Sequence, residues 1–266
     1  MRLLVVDAGN TQIKFGLFDD ETLKYRWKIT TAEKRTTDEF GFAILNMLHS
    51  ETVEVGSIDR VAVCSVVPGI MHSLLEAIRR YLKKEPLLIG PGTKSGVKIR
   101  TANPREVGAD LICDVAAAVE YYHAPCIIVD FGTVTKYEIV DTDGALMAAV
   151  FSPGIGISAE AMSSKAAQLP QIEIKKPKSI ITSVTTECMQ AGLVFGYIGQ
   201  IKYIIEQIKQ EMNLPDMCVI ATGGFGKVFA NEIDCLDYYD NALTLKGIRC
   251  IALKNKAPKK TDVQNE

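Results

Sequence analysis

Short apolar runs and longer amphipathic stretches alternate along the chain. Six runs of five to seven residues are rich in Val and Ile and bounded by turn residues, which predicts buried β-strands at residues 3–7, 13–18, 60–66, 126–130, 136–141 and 218–222. Between them, apolar residues recur with the 3.6-residue period of a helix over residues 71–82 and 198–208. The pattern therefore predicts an α/β protein with more strands than one simple sheet needs.

Two segments of the chain resemble each other. Residues 3–20, LLVVDAGNTQIKFGLFDD, and residues 126–143, CIIVDFGTVTKYEIVDTD, share an apolar strand, an Asp, a Gly two positions later, a nearby Thr and a second strand that ends in acids. Residues 61–69 and 218–226 match more weakly, as apolar strands that run into Gly-containing turns. Chance competes, because Asp-x-Gly is a common turn after a strand. The agreement in order and spacing favours a duplicated unit.

Composition narrows the class of protein. The 266 residues are 47% hydrophobic and 23% charged with a net charge of −2, which predicts a globular protein and gives no general electrostatic reason for binding nucleic acid or a membrane surface. No signal-peptide pattern and no apolar run of about 20 residues is present. Seven cysteines without a CxxC pair predict reduced thiols and a cytoplasmic location.

The repeated hairpins carry the first candidate chemistry. A tight turn needs Gly9 for backbone freedom, and its free amides can face an anion. Asp7 at the strand end can hold a hydrated Mg²⁺, which prefers carboxylates and water. The alternative is a hairpin turn in which Asn10 and Gly9 only satisfy geometry. The second copy, Asp130 to Thr135, favours function, because two such loops can hold the two ends of a triphosphate.

Residues 103–110, NPREVGAD, form a second candidate. The order of Asn103, Pro104 and Glu106 predicts a helix start with a capping box. Asp110 then lies in the first two turns, where it can face a cleft and act as a general base. The alternative is an acid placed there only by the helix dipole, and on the residues alone this alternative is favoured.

Residues 222–226, TGGFG, follow a strand and form a third candidate. Gly223 and Gly224 would let a flat group such as adenine or ribose approach the main chain, although a plain strand-to-helix turn has the same residues. No GxxxxGK[ST] motif is present, so the chain is not a P-loop protein.

Taken together, these motifs resemble the actin, chaperone and sugar-kinase superfamily, and within it the type III pantothenate kinases. The resemblance runs from the start almost to residue 253 and is specific because many short motifs occur in the family's order. They are VDAGNT, SVVPG, NPREVGAD, DFGTVT, SPGI with SAEA, LP near residue 170, KPKSI, ECMQAG, ATGG and LTLKGI.

The resemblance implies a fold and a reaction. Two ribonuclease-H-like domains, built from duplicated mixed sheets flanked by helices, would surround a nucleotide cleft. They would cover residues 1–122 and 123–253, followed by a disordered tail over 254–266. The activity would be ATP-dependent phosphorylation of pantothenate to 4'-phosphopantothenate, the first step of coenzyme A biosynthesis. A homodimer, Mg²⁺ and a monovalent cation, K⁺ or NH₄⁺, are implied as well.

Site residues follow from the matched motifs. Asp110 would accept the proton of the pantothenate hydroxyl, Asp7 would serve Mg²⁺, and Asp130 would serve the monovalent cation. ATP would be held by Asp7, Ala8, Gly9, Asn10, Thr11, Gln12, Ile13, Lys14, Gly132, Thr133, Gly223 and Gly224. Pantothenate would be bordered by Thr101, Gly108, Ala109, Asp110 and Leu111, with Thr185 supplied by the partner subunit.

Four positions depart from the family pattern. Thr101 stands where the family usually has Tyr, Leu111 where it has Arg, Lys136 where it has Thr, and Val184 where it has Asn. The Lys136 ammonium has three possible places: the pantothenate carboxylate, the ATP phosphates or solvent, the last being the usual place for Lys on a strand. Two other functions stay open beside pantothenate kinase: a kinase of the same fold for another small hydroxy substrate, and a nucleotide-binding regulator without turnover.

Overall fold

Two mixed β-sheets organise the chain, which a computed structural model describes over residues 1–90 and 92–256. Contacts divide it into two units. Unit 1 contains residues 1–96, 103–117 and the described residues from 244 onward, and unit 2 contains residues 97–102 and 118–243. The functional domains expected at 1–122 and 123–253 stay a prediction. Of the tail expected over 254–266, residues 257–266 lie outside the described residues.

Unit 1 is built on a five-stranded sheet. Its strands are β1 (Arg2–Ala8), β2 (Gln12–Asp19), β3 (Thr22–Thr30), β4 (Arg60–Ser65) and β5 (Leu87–Leu88). Its helices are α1 (Thr37–Ser50), α2 (Pro68–Ala77), which continues as a π-helical turn over Ile78–Leu82, the first part of α3 (Ala109–Tyr121), and α7 (Leu243–Lys254). Short 3₁₀ turns occupy Val55–Ser57 and Pro104–Glu106.

Unit 2 is built on a six-stranded sheet. Its strands are β6 (Lys98–Ile99), β7 (Cys126–Phe131), β8 (Val134–Val140), β9 (Ala145–Pro153), β10 (Cys218–Thr222) and β11 (Tyr238–Tyr239). Its helices are α4 (Ile155–Lys165), α5 (Thr185–Met212) and α6 (Gly226–Phe229). The six strands predicted from the apolar runs are all present, and both periodic stretches lie in helices.

Strand order confirms the predicted duplication. The sheet of unit 1 has the order β3-β2-β1-β4-β5, and that of unit 2 contains β9-β8-β7-β10-β11 with β6 added beyond β9. In unit 1, β1 pairs antiparallel with β2 and parallel with β4. In unit 2, β7 pairs in the same way with β8 and β10. The weaker similarity is confirmed too, because its two segments form β4 and β10.

Burial follows from these positions. The central strands β1 and β7 are buried on both faces, as expected of parallel-paired strands covered by helices, whereas β3 alternates between exposed and half-buried residues at the sheet edge. Each unit has its own apolar core, one centred on Phe15 and Phe40 and the other on Phe131 and Tyr197. Within the described residues, no helix is long and apolar enough to cross a membrane.

The predicted helix start at Asn103 is wrong. Asn103 makes no side-chain cap, residues 104–106 form only a 3₁₀ turn, and Val107 is extended, so that α3 begins at Ala109. A capping box does exist elsewhere, at α1, where the Thr36 side chain accepts from the Glu39 amide while Glu39 accepts from the Thr36 amide. The capping box predicted at Asn103 is therefore absent, and the one at Thr36 was not predicted.

Candidate active site

Asp7 lies at the carboxyl end of β1, in the middle of the unit 1 sheet. It pairs in register with Lys14 on β2 and with Cys64 on β4. The Lys14 ammonium lies 3.1 Å from Asp7 Oδ2, and the Asp7 side chain is only 9% exposed, while that of Lys14 is 36% exposed. The carboxyl ends of parallel strands are a common ligand position in α/β proteins. Here this end of the sheet has the buried Asp7 carboxylate and the partly exposed Lys14 side chain.

The loop after Asp7 is tight and anchored. The Gly9 amide donates to the Gln12 carbonyl at 3.1 Å, which closes the turn between β1 and β2. The Thr31 hydroxyl donates to the Gly9 carbonyl at 2.6 Å, and the Thr31 amide donates to the Thr11 carbonyl at 3.0 Å. Asn10 and Thr11 at the tip are exposed. The loop thus has a fixed main chain with its polar tip toward solvent.

Asp110 lies in the first turn of α3, in the same unit as Asp7. Its Oδ1 is shielded from solvent. This oxygen lies so close to Gly108 that a Cβ added there would overlap it. Glycine is therefore needed before the helix so that the carboxylate can fold back against the main chain, and the helix N-terminus favours a negative charge at this point.

The charges of three carboxylates act on the Cys64 thiol. A hydrogen bond with Cys113 acts to lower the pKa of Cys64, but burial and the charges of Asp7, Asp110 and Asp114 outweigh it, so the pKa of the thiol is raised. Burial likewise raises the pKa of Cys113. Both thiols therefore stay protonated.

In unit 2, Asp130 takes the place that Asp7 has in unit 1. It ends β7 and pairs in register with Lys136 on β8 and with Thr222 on β10. Lys136 Nζ lies 2.8 Å from Asp130 Oδ2, and the two side chains are only 12% and 15% exposed. Of the three places considered for the Lys136 ammonium, solvent is wrong, because the opposite charge across the strand pair holds it inside the unit.

The TGG turn covers the Asp130 carboxylate. Gly223 has φ +92°, and a Cβ there would overlap Asp130 Oδ1 and lie 2.6 Å from the Phe131 amide nitrogen. Only glycine accepts both the left-handed conformation and this close approach. The Tyr239 hydroxyl donates to the Gly223 carbonyl at 3.2 Å. Gly224, by contrast, is exposed with open space around its Cα, and so is accessible to a ligand.

The remaining predicted residues are spread over both units. Gly132 and Thr133 form the loop between β7 and β8, and a Cβ at Gly154 would overlap their carbonyl oxygens. Thr101 lies in unit 2, and Thr185 opens α5 as an exposed residue of unit 2. Ala109 and Leu111 flank Asp110 on α3, where Leu111 is 7% exposed.

A groove elsewhere on unit 2 contains none of these residues. It has a volume of about 700 Å³ and is lined by α5 side chains such as Lys202 and Glu206 together with Asp234 and Cys235. Lys202 is already paired with Asp234 at 2.8 Å. Among the described residues, no group of three or more His, Cys, Asp and Glu side chains is arranged to hold a metal ion.

Comparison with known proteins decides the family. The sequence model of the type III pantothenate kinases matches residues 3–207, which include both Asp–Lys hairpins and Asp110. The chain belongs to the type III pantothenate kinase family. This kinase is 44% identical over 252 residues to a type III pantothenate kinase of Agathobacter rectalis, and the match covers 95% of this chain and 97% of that one. The activity expected from the resemblance, phosphorylation of pantothenate with ATP, is thereby confirmed.

Solved structures support the fold of the kinase. A protein of Sinorhizobium meliloti, provisionally described as a 2-dehydro-3-deoxygalactonokinase, has a TM-score of 0.60 at 11% identity, covering 99% of this chain and 100% of that one. The activator of 2-hydroxyisocaproyl-CoA dehydratase from Clostridium difficile, solved with bound ADPNP, has a TM-score of 0.52 at 13% identity, covering 96% and 94%. These likenesses confirm the superfamily fold expected from the sequence.

Three features of the candidate site were missed by sequence reasoning. The position of Lys136 opposite Asp130 could have been found by aligning the two hairpins, since Lys14 stands opposite Asp7 in the first copy. Asp114 has the i+4 spacing from Asp110 that places both acids on one helix face, but it was not singled out. For Cys64 the sequence contains no indication of a role near the site, because it is one residue of an apolar strand.

Proposed function

We propose that the kinase transfers the γ-phosphoryl group of ATP in line to the pantothenate hydroxyl, with Asp110 as the proton acceptor. The product is 4'-phosphopantothenate, and the reaction is the first step of coenzyme A biosynthesis. The observation that supports this best is that Asp7 and Asp110 belong to one unit, in which Asp7 pairs in register with Cys64 and the charges of both acids act on the Cys64 thiol. Phosphoryl transfer depends mostly on positioning and on charge stabilisation, and this arrangement provides the carboxylates for both.

Asp110 suits the role of base. Gly108 leaves room for its carboxylate, and the first turn of α3 favours its negative charge. Its Oδ1 is shielded from bulk water, which reduces competition from solvent for the proton. Gly108, Ala109 and Leu111 would then border pantothenate, together with Thr101 and the partner subunit's Thr185.

Asp7 and the loop that follows suit the phosphates of ATP. The half-exposed Lys14 ammonium is bonded to Asp7 and can turn toward a phosphate, with exposed polar residues beside it at the loop tip. A buried carboxylate at a strand end fits Mg²⁺, which prefers a carboxylate plus waters and phosphate oxygens. When bound, Mg²⁺ would neutralise charge on the phosphates. By the resemblance, Gly132, Thr133, Gly223 and Gly224 would be nucleotide contacts as well.

The monovalent cation expected at Asp130 does not fit this chain. Asp130 Oδ2 already has the Lys136 ammonium at 2.8 Å, and Oδ1 lies against the main chain of Gly223. No step of the proposed reaction therefore uses K⁺ or NH₄⁺ at this carboxylate.

A homodimer is part of the proposal. Unit 2 carries several large apolar side chains that solvent reaches in the single chain: Val134, Val150, Phe151, Ile157, Ile180, Ile181 and Val184. Contiguous exposed apolar patches mark interaction surfaces, and in this proposal a second copy of the chain covers these side chains. Sedimentation equilibrium at micromolar concentration tests this, and a purely monomeric species would contradict it.

A coupled assay tests the proposed reaction. Purified kinase with Mg·ATP should release ADP only when pantothenate is added, and mass spectrometry should find one phosphopantothenate for each ADP. ADP release that needs a different hydroxy compound would favour the kinase for another substrate. Saturable ATP binding without ADP release in the presence of pantothenate would favour the regulator and contradict the proposal.

A further inference from the structure

The Asp130–Lys136 ion pair is the feature of unit 2 that the proposed reaction does not use. Asp130 and Lys136 face each other across the β7–β8 pair, with Thr222 on one side of this row and Phe151 on the other. A lysine is almost never this buried unless it is paired. At 12% exposure, the Lys136 side chain is held in the unit by the carboxylate it meets.

The Asp130 carboxylate is surrounded so that the Lys136 ammonium occupies the position of its cation. Oδ2 bonds to the Lys136 ammonium, and a Cβ at Gly132 would lie 3.4 Å from the same oxygen. Oδ1 is covered by Gly223, which has no side chain. The ammonium is compact and strongly charged, so a second monovalent cation at this carboxylate would be repelled by it at close range.

We infer that Lys136 is a built-in cation that replaces a bound monovalent cation at Asp130. A lysine head group is a tethered, alkyl-substituted ammonium ion, with the same charge as K⁺ or NH₄⁺ and with N–H donors for carboxylate and carbonyl oxygens. It is held by its own strand, so its occupancy does not depend on salt. Phosphoryl transfer by this chain therefore does not require added K⁺ or NH₄⁺. The inference rests on the proposed kinase function.

The experiment varies the cation at constant ionic strength. Phosphopantothenate formation is measured with saturating Mg·ATP and pantothenate in tetramethylammonium chloride, and again with KCl or NH₄Cl replacing it. For the wild-type kinase the rates in the different salts should agree within about twofold. This is well below the roughly tenfold change expected of a kinase that needs a bound monovalent cation. Thermal unfolding in the same salts gives a second readout, and the wild-type midpoint should not respond to K⁺.

Two substitutions should restore the requirement for a cation. Lys136→Thr and Lys136→Ala each remove the ammonium, so without K⁺ the rate should fall by about tenfold or more and recover on addition of K⁺ or NH₄⁺. K⁺ should also raise the unfolding midpoint of both variants. The matched control is Lys98→Thr, which removes an exposed strand lysine of the same unit and should behave like the wild type.

The outcomes separate the inference from the proposed function. A wild-type rate that rises tenfold with K⁺ would overturn the inference while leaving pantothenate kinase activity intact. Variants that are folded and whose rate and midpoint ignore K⁺ would overturn it as well. A wild-type protein without pantothenate-dependent turnover in any salt would instead contradict the proposed function, and the K⁺ response of the unfolding midpoints would then decide the inference alone.

Discussion

The two hairpins have the same architecture and a largely buried carboxylate each, but they differ in the exposure of the lysine. In unit 1 the row across the sheet is Cys64, Asp7, Lys14, and in unit 2 it is Thr222, Asp130, Lys136. The two Asp–Lys pairs are of similar length, 3.1 and 2.8 Å. Yet the Lys14 side chain is three times as exposed as that of Lys136.

The difference shows how one duplicated motif can serve two roles. An ion pair with a solvated lysine adds little to stability and leaves the charge available to a ligand. A pair enclosed on both sides holds its charges to each other, and breaking it leaves one of them buried. We therefore expect the Lys14 charge to be available to ATP and the Lys136 charge to stay with Asp130.

The largest expected effect concerns Asp110, the proposed base in the unit of the first hairpin. Asp110→Asn keeps the shape but removes the base, so turnover should fall by about 10² or more while ATP affinity changes little. Steady-state kinetics together with ATP titration by calorimetry measure both. Glu106→Gln, which changes an exposed acid just before α3, serves as the control. Turnover within a factor of two of wild type in Asp110→Asn would exclude Asp110 as the base.

The next prediction exchanges the two hairpin carboxylates for neutral groups. Asp7→Asn should weaken Mg·ATP binding by about tenfold or more, because the metal loses its carboxylate, with a stability loss of about 1 kcal/mol or less. Asp130→Asn should cost about 3 kcal/mol of stability, because it leaves Lys136 buried without its counter-charge. Calorimetry and urea unfolding on both variants are the measurements. Equal stability losses in the two variants would show that the hairpins do not differ as described.

Glycines beside the two key carboxylates give a finer comparison. Gly108→Ala meets only the end of the Asp110 side chain, which can turn away, so turnover should fall while stability stays within about 1 kcal/mol. Gly223→Ala meets the Phe131 main chain at positive φ, so stability should fall by about 2 kcal/mol. Unfolding curves and kinetics of both variants test this. A greater stability loss at Gly108 would contradict the prediction.

The smallest expected effect concerns Leu111. An arginine beside Asp110 can make two charge-assisted hydrogen bonds to the pantothenate carboxylate, so Leu111→Arg should lower the KM for pantothenate by about tenfold. Because Leu111 is buried, the same change should lower the unfolding midpoint by a few degrees. Leu111→Met separates the effect of charge from that of shape. An unchanged KM in a folded Leu111→Arg variant would exclude this position from the carboxylate site.

The sequence by itself determined the strands, the duplication and the family. Apolar runs ending in Asp7 and Asp130 identified both central strands because such strands are buried on two faces and need no alternation. The repeated Asp-x-Gly turn identified the hairpins, since its chemistry is local. The same local logic misplaced a helix start at Asn103, where the extended Val107 interrupts the helix before Ala109.

Only the tertiary structure decided what the charged side chains meet. From the sequence alone Lys136 is an exposed strand residue. The register of β7 and β8 places it against Asp130, and the TGG turn, which begins 86 residues further along the chain, covers the Asp130 carboxylate. From the sequence alone Asp110 is an acid at a helix start, and only the fold shows that its Oδ1 is shielded from solvent in the same unit as Asp7. Burial and pairing of charges depend on elements far apart in the chain, and propensity and periodicity report only on near neighbours.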